Sequence, residues 1–330
     1  MKISDPDSLT NHWCDRINDL LKRKRLPGRL IGAWSLVRRL LPVLLGVPAV
    51  LLAADQRFVL SDERVPLQLS ASRESSGLAP SKRSDDRLWV ENDSGNGPDL
   101  FLAGTDGSYV GTLHINHASN IDWEDLDSFV LDGKPFLLIA DTGDNNARRE
   151  SCQIYIVPEP AFPVKGQILD AEPAWTIRFR YEDGPRDCEA VAVDPVEKKI
   201  LLLGKRTNPP GIYELPLIPK NPGQIQTARK IGTVRVERPL NAPLSPYGNQ
   251  PTGLSLSPDG SLAAILTYYS VFLFPRSKGE SWADAFARPP ERLAPHGQAQ
   301  GEAITFSNDG RTINVLSEGL LPPIISYRLR

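Results

Sequence analysis

A pattern that predicts a β-hairpin recurs five times along the chain. Each copy has a polar and a small residue, an alternating apolar strand, a turn, and a second apolar strand that ends on a polar residue. The copies begin at residues 74–78, 122–126, 187–194, 251–260 and 301–310, and the aligned positions Leu78, Leu126, Val191, Leu254 and Ile304 are 48, 65, 63 and 50 residues apart. Repeats of this length predict four-stranded units that bury their apolar faces by stacking on one another.

Turn residues and further short strands make this an all-β chain. The turns Pro258-Asp259-Gly260 and Asn308-Asp309-Gly310 each separate two strands of period two. With Pro 30 and Gly 25, the chain carries too many helix breakers for an all-helical fold. Evenly spaced short strands favour a β-propeller of five blades, or of six if a long interval hides a degenerate blade. A β-sandwich is the alternative, but it gives no reason for a fivefold hairpin.

The two ends of the repeat region complement each other. The last copy supplies three strands before the chain ends, whereas residues 58–69 contain a spare strand at the other end. We therefore expect the N-terminal strand to complete the last blade and close the ring, which removes an exposed sheet edge.

Residues 1–54 differ from the rest of the chain. A basic segment that includes Arg38 and Arg39 precedes residues 40–54, fifteen residues without a charge. This predicts a signal peptide, an uncleaved N-terminal membrane anchor or, as a third alternative, a buried core segment. In the first two cases residues 55–330 form a single β-propeller domain that is extracytoplasmic, periplasmic or secreted, and only the N-terminal segment contacts the membrane.

The charge balance restricts the partners. A formal net charge of −2 gives no general field that would attract nucleic acid. We expect a monomer that takes a small-molecule or envelope ligand at one mouth of the propeller channel.

The three cysteines leave two alternatives open. Cys14 lies in the N-terminal segment, so Cys152 and Cys188 remain after cleavage. An oxidising compartment would allow a disulfide between them, which would contribute about 3–4 kcal/mol. Two separate buried thiols are the alternative.

Polar residues open the first strand and end the second strand of every hairpin, so each pair should meet at the same mouth of the channel. The pairs are Ser76 and Asp93, Glu124 and Asp141, Glu189 and Lys205, Thr252 and Thr267, and Glu302 and Glu318. Crowded carboxylates repel one another, and a hard cation such as Ca²⁺ with six to eight oxygen ligands relieves this repulsion. The predicted metal ligands are Asp93, Glu124, Asp141, Glu189, Glu302 and Glu318. The alternative is that these strand ends are polar only because they meet water.

Two motifs carry a family resemblance. Residues 120–126 (NIDWEDL) and 141–145 (DTGDN) resemble a group of uncharacterised secreted bacterial β-propeller proteins, over most of residues 70–320. Residues 188–205 also resemble one blade of the β-propeller phytases and related esterase-like proteins. The phytase pattern has a second acid after the first strand and an acidic pair after the second, where this chain has Pro195 and Gly204-Lys205. The phytase calcium sites and activity are therefore not carried over.

Two functions follow from the predicted ring. The first is a metal-dependent hydrolase of an anionic ester, in which Glu189 or Glu302 acts as base and Lys205 stabilises developing charge. The second is a non-catalytic propeller that binds an envelope sugar, peptide or protein. The sequence contains no G-x-S-x-G elbow for a serine hydrolase. His114 and His117 form an H-x-x-H pair that suits either a zinc site or a loop edge.

Overall fold

The computed structural model describes residues 57–71, 73–236 and 250–330. Residues 56–330 form one compact unit by their internal contacts. The predictions for residues 1–54, including the signal peptide or anchor and Cys14, lie outside the described residues. In the part of the chain that is described, no helix has the length and apolar character that a membrane span requires.

The described residues form five antiparallel sheet units, each with four strands. The strands of the first three units are β2 (Ser75–Pro80), β3 (Arg87–Asn92), β4 (Asp99–Gly104) and β5 (Tyr109–Ile115); β6 (Trp123–Leu131), β7 (Lys134–Asp141), β8 (Cys152–Pro158) and β10 (Trp175–Tyr181); and β11 (Cys188–Asp194), β12 (Lys199–Gly204), β13 (Gly211–Pro216) and β14 (Gln226–Thr233). The other two units contain β15 (Pro251–Leu256), β16 (Leu262–Thr267), β17 (Val271–Pro275) and β18 (Glu291–Arg292), and β19 (Gly301–Phe306), β20 (Thr312–Ser317), β21 (Pro323–Leu329) and β1 (Phe58–Pro66).

These units are the blades of a β-propeller. Their first strands, β2, β6, β11, β15 and β19, each contact the next, and β19 contacts β2, so the five strands surround a central channel. A β-sandwich has no such ring of neighbours. The predicted five-bladed propeller is confirmed, and none of the long intervals contains a sixth blade within the described ranges.

The N-terminal strand closes the ring. β1 pairs antiparallel with β21, from Phe58 opposite Leu329 to Pro66 opposite Pro323. The fifth blade thus takes three strands from the end of the chain and its outer strand from residues 58–66. This confirms the predicted closure.

Over the described parts of the propeller, the core consists of five apolar clusters, one between each pair of adjacent blades. The cluster between the first two blades contains the fully buried rings of Trp89 and Trp123. Residues on both faces of the inner strands are buried, and β11 is buried along its whole length. Because every blade packs on two neighbours, the alternating strands of the repeat become the solvent-excluded walls of the ring.

Three features go beyond the repeat. β9 (Gln167–Ala171) adds a fifth strand to the first blade by pairing parallel with β5. β10 and β14 also pair in parallel and join the second and third blades into an eight-stranded sheet. The short helix α1 (Trp282–Ala287) begins after Ser281, whose hydroxyl accepts from Asp284 N.

The predicted disulfide is not formed, so the alternative of two separate buried thiols applies. The Sγ of Cys152 lies 3.9 Å from the carbonyl of Thr142, and that of Cys188 lies 3.8 Å from the carbonyl of Ala190. Burial raises the pKa of Cys152 to about 12 and that of Cys188 to about 11, so both thiols stay protonated.

Candidate functional site

A β-bulge lies at the same position in all five inner strands. The pairing with the second strand shifts between the first and third residues of β2, β11, β15 and β19, and at the corresponding place in β6. The residues left unpaired are Ser76, Glu124, Glu189, Thr252 and Glu302. A bulge redirects the side chain of the extra residue. The five residues that the sequence placed at one mouth of the channel are therefore the five bulged residues.

Most of these side chains face one cavity of about 300 Å³ at this end of the channel, which we call the acidic cavity. Its lining residues are Ser76, Asp93, Glu124, Asn145, Glu189, Lys205, Arg206, Gln250, Tyr268, Gln300, Glu302 and Glu318. The structure thus brings together seven of the ten residues of the predicted pairs. Thr252, Thr267 and Asp141 are not among the lining residues.

The bulged residues without a carboxylate hold neighbouring blades together. The hydroxyl of Ser76 donates to the carbonyl of Glu124 at 2.8 Å, and that of Thr252 donates to the carbonyl of Gly301 at 2.7 Å. In both cases the bond joins one inner strand to the next. The other three bulged residues, Glu124, Glu189 and Glu302, carry the carboxylates that determine the chemistry of the cavity.

Lys205 and Glu189 form a buried ion pair across the cavity wall. The ammonium also lies 5.2 Å from the ring centroid of Tyr268. Burial by itself lowers the pKa of Lys205, but the carboxylates of Glu189 and Glu302 more than reverse this and place the pKa above its ordinary value. Lys205 is therefore a fixed positive charge.

Glu302 lies beside this pair and shares an amide with Glu318. The Nε2 of Gln300 donates to Glu302 Oε1 at 3.0 Å and to Glu318 Oε2 at 2.6 Å. Burial, followed by the negative charge of Glu189, raises the pKa of Glu302 to about 9. In the absence of a bound cation, Glu302 carries a proton at neutral pH.

Among the described residues, two overlapping groups of carboxylates could hold a metal ion. Asp93, Asp122 and Glu124 form one group, and Glu124, Asp187 and Glu189 form the other, with ligand oxygens within 4.8 Å of one another in each group. Burial and then the charges of Glu189 and Asp93 raise the pKa of Glu124 well above its ordinary value. Burial and Asp93 likewise raise the pKa of Asp122 to about 6. The cavity thus concentrates negative charge that its own cations do not balance.

Gly143 allows two of these carboxylates to approach the backbone. A Cβ at this position would collide with Glu124 Oε1 and Asp122 Oδ2. The absence of a side chain at Gly143, in the GDN motif, therefore leaves room for the carboxylates of Asp122 and Glu124, in the DWED motif, beside its Cα. The DWED and GDN motifs, residues 122–125 and 143–145, thus meet at the cavity, whose lining includes Glu124 from the first and Asn145 from the second.

The loop after β7 also positions Asp187. The backbone N–H of Asp144 donates to Asp187 Oδ1 at 2.9 Å, and Arg206 Nε lies 2.7 Å from Asp187 Oδ2. Asp144 in turn accepts from the backbone N–H groups of Arg148 and Arg149, each at 2.8 Å. Asp187 is fixed by this loop from the second blade, beside the bulge of the third.

Asp141 ends β7 as predicted, but the structure does not bring it into the acidic cavity. Its carboxylate pairs with Arg149 at 2.8 Å and accepts from Gln153 Nε2 at 3.0 Å and from the backbone N–H of Asp122 at 3.2 Å. These partners hold Asp141 in the wall between strands. The carboxylate of Asp141, which the sequence predicted to be a metal ligand, therefore orients the DWED segment through its bond with the backbone N–H of Asp122.

Sequence reasoning missed Asp122 and Asp187 as candidate ligands. Both precede the bulged glutamate by two residues, in D-W-E and D-C-E, and this shared spacing is the signal that could have found them. The H-x-x-H pair does not form a joint site, because His114 bonds Asp99 at 2.7 Å whereas the exposed His117 lies 3.8 Å from Glu172.

The fold and this cavity define the class of protein: a five-bladed β-propeller with an acidic site at one end of its channel. No protein-family model matches the chain, and no curated protein matches it. Among solved structures it is similar to U3-55K, at 14% identity over 77% of this chain and 68% of that one, with a TM-score of 0.39. It is also similar to a gluconolactonase from Xanthomonas campestris, at 13% identity over 79% of this chain and 74% of that one, with a TM-score of 0.46. The strand topology defines the fold, and the acidic cavity is the feature of this fold that bears on function.

Proposed function

We propose that the acidic cavity binds Ca²⁺ and that the protein is an exported, metal-dependent hydrolase of an anionic ester. The observation that carries the proposal is the group of Glu124, Asp187 and Glu189, three buried carboxylates with ligand oxygens within 4.8 Å of one another. Buried like charges at this spacing are costly unless a cation or protons compensate them.

The donor set fits a hard cation. Every candidate ligand in the two groups, which also include Asp93 and Asp122, is a carboxylate oxygen, the type that Ca²⁺ prefers. The basic side chains of the cavity, Lys205 and Arg206, pair with Glu189 and Asp187, so their two positive charges offset only part of the negative charge of the five carboxylates. When bound, Ca²⁺ supplies Lewis-acid polarisation of a substrate oxygen.

Two residues beside the carboxylate groups supply the remaining chemistry. Lys205, fixed by Glu189 and Tyr268, places a permanent positive charge where an anionic ester group and the charge that develops during hydrolysis are stabilised. Glu302, which lines the same cavity, is the residue that takes a proton from the attacking water and returns it to the leaving oxygen, in the role of base that the sequence predicted. Gln300 orients Glu302 through the bond to Oε1.

The character of the cavity favours the hydrolase over a binding propeller. Carboxylates with raised pKa values in a cavity are typical of active sites. A sugar-binding mouth is usually rimmed by aromatic side chains, and among the described residues Tyr268 is the aromatic one that lines the cavity. Binding of a ligand in this cavity without its hydrolysis would support the alternative, a non-catalytic binding propeller.

The first experiment is thermal melting of the full chain in EDTA and in increasing CaCl₂. We expect Tm to rise with Ca²⁺, by an amount that corresponds to about 2.7 kcal/mol at a hundredfold excess over Kd. Glu124→Gln should abolish the rise, and Gly143→Ala should reduce it strongly because the new methyl group displaces Glu124 and Asp122. Glu318→Gln is the matched control, since Glu318 lines the cavity outside both carboxylate groups. Identical melts with and without Ca²⁺ would remove the metal site.

The second experiment measures turnover of p-nitrophenyl phosphate. We expect hydrolysis that requires Ca²⁺ and that falls in Lys205→Met and Glu302→Gln while the Ca²⁺-dependent rise in Tm persists. A normal Ca²⁺ response with no hydrolysis of this ester or of the neutral p-nitrophenyl acetate would support the binding propeller instead.

A further inference from the structure

A second cavity of about 400 Å³ lies at the opposite ends of the inner strands. Its walls include Phe129 from β6, Val193 from β11, Leu256 from β15 and Phe306 from β19. Polar side chains also line it, above all Lys82 from the turn between β2 and β3 and Asp127 from the middle of β6. Apolar walls with a few convergent polar groups are the usual form of a small-molecule site.

The second cavity is separate from the acidic cavity. The two share none of their lining residues. On β6, Glu124 lines the acidic cavity and Ser128 lines the second cavity. The four residues of strand from one to the other span about 13 Å. Between them Asp125 accepts from the backbone N–H of Leu126 at 2.9 Å, of Val191 at 2.7 Å and of Leu254 at 3.3 Å, so it ties three inner strands together across the channel.

Lys82 brings a positive charge into the second cavity. Its Nζ donates to Asn308 Oδ1 at 3.0 Å, and Asn308 is held in turn by bonds from its Nδ2 to the carbonyl of Ser81 and to Asp85. Burial lowers the pKa of Lys82, and the charges of Asp127, Glu159 and Asp85 oppose this. An ammonium has three N–H donors, and Asn308 takes one of them.

Asp127 brings the compensating negative charge. Its Oδ1 accepts from the backbone N–H of Ser128 at 2.7 Å, and its Oδ2 accepts from that of Val193 at 2.8 Å. Each oxygen keeps a lone pair for a further donor. Two other acids belong to the lining: Asp194 pairs with Arg276 at 3.1 Å, and Asp85 is exposed and accepts from Asn308. Lys82 and Asp127 are therefore the cation and the anion that keep hydrogen-bonding capacity for a ligand against the apolar walls.

We propose that the second cavity binds a neutral, largely apolar small molecule with one hydroxyl group, which accepts from Lys82 and donates to Asp127. A charged ligand would upset the balance between these two groups and bury an unpaired charge. A hydroxyl is both donor and acceptor, so it can use both groups at once. The exposed Val130 and Val196, which belong to the same lining, give the entrance an apolar rim.

The test uses 2-naphthol as a probe, with naphthalene and 2-naphthoate as its apolar and anionic counterparts. Isothermal titration with the full chain should give one site for 2-naphthol and at least about tenfold weaker binding of the other two, because a hydrogen bond to a charged group changes affinity by about this factor. Lys82→Met should weaken 2-naphthol binding about tenfold and Leu256→Trp should remove it by filling the cavity. Gln300→Ala, in the acidic cavity, should leave it unchanged.

Thermal melting shows whether each variant is folded. If Leu256→Trp does not fold, Lys82→Met and Asp127→Asn decide the matter, because both change polar groups rather than the volume of the wall. No binding of 2-naphthol overturns the proposal, as does native-like binding in folded Lys82→Met. Tighter binding of 2-naphthoate than of 2-naphthol also overturns it, because the charge balance would then not select the ligand.

Discussion

The two ends of the channel are built from the same five strands but differ in backbone pairing. At the acidic end every inner strand has a bulge, and the bulged side chain is released from the regular alternation of the sheet. At the other end the pairing continues in register to the turns, and residues such as Val193 and Phe306 keep their alternating places. The bulge therefore allows three glutamates to replace apolar residues at the acidic end without disturbing the blades.

The two ends also differ in how charge is balanced. The acidic cavity combines Asp93, Glu124, Glu189, Glu302 and Glu318 with Lys205 and Arg206, and so has a surplus of carboxylates. In the second cavity Lys82 is set against Asp127, while Asp194 is paired with Arg276 and Asp85 is exposed. A surplus calls for a cation from solution, whereas a balanced pair favours a neutral ligand. One propeller can therefore offer two chemically different sites on one axis.

The largest expected effect comes from removing the carboxylate of Asp125, which lies between the two cavities. Asp125→Ala leaves the backbone N–H groups of Val191 and Leu254 without their acceptor, and we expect the free energy of unfolding to fall by about 4 kcal/mol. Urea denaturation followed by tryptophan fluorescence measures the change. Asp125→Asn, which keeps one acceptor oxygen, should lose clearly less; equal losses would show that these bonds do not join the strands.

A second effect concerns the buried histidine His296, which lies beside Gly301 at the acidic end of the channel. His296 donates from Nε2 to the carbonyl of Thr267 and accepts at Nδ1 from Gln298 N, and burial lowers its pKa to about 4. The unfolded chain takes up this proton near pH 6.5 but the folded chain only near pH 4. Stability is therefore complete above pH 6.5 and falls by about 3 kcal/mol as the pH decreases to 4.

His296→Gln should remove this contribution. The difference in unfolding free energy between the native chain and the variant, measured by urea denaturation from pH 4 to pH 8, should change by about 3 kcal/mol across the window. A constant difference would mean that the histidine is protonated in the folded state or exposed to water.

The smallest effect, with the opposite sign, belongs to the second cavity. Burial raises the pKa of Asp127 to about 6. Because the folded chain then binds this proton more tightly than the unfolded chain, the contribution of Asp127 to stability increases as the pH falls from 6 to 4. We expect about 2 kcal/mol, somewhat less than the full shift implies because the residue is partly exposed.

Asp127→Asn should abolish that gain and leave the His296 response in place. The same urea series measures both variants, and opposite slopes for the two would confirm that the ends of the channel differ electrostatically. A difference of the same sign as that of His296→Gln would contradict the assignment for Asp127.

The sequence was sufficient to predict the blades because local signals agreed with the tertiary structure. The predicted turns at residues 258–260 and 308–310 each separate two paired strands, and the spare N-terminal strand pairs with β21. It was also sufficient to place Glu124, Glu189, Lys205 and Glu302 at one cavity, since a hairpin brings the start of one strand to the end of the next.

Other features depend on contacts between blades, which hairpin spacing does not encode. Asp141 satisfies the spacing rule, but Arg149 and Gln153 bind its carboxylate away from the cavity. Asp187 enters the carboxylate group because a loop of the preceding blade holds it. The second cavity was not predicted either, because Lys82 and Asp127 lie in different blades and meet only when the ring is closed.

The pairing of β1 with β21 has a consequence for how the chain matures. A ribosome releases the closing strand among the first parts of the propeller, yet its partner, residues 323–329, is among the last to emerge. Until then the strand has an open hydrogen-bonding edge, and the fifth blade cannot be completed. Closure of the toroid must therefore wait until residues 323–329 have been synthesised, and any cellular factor that shields the unpaired strand would act until then.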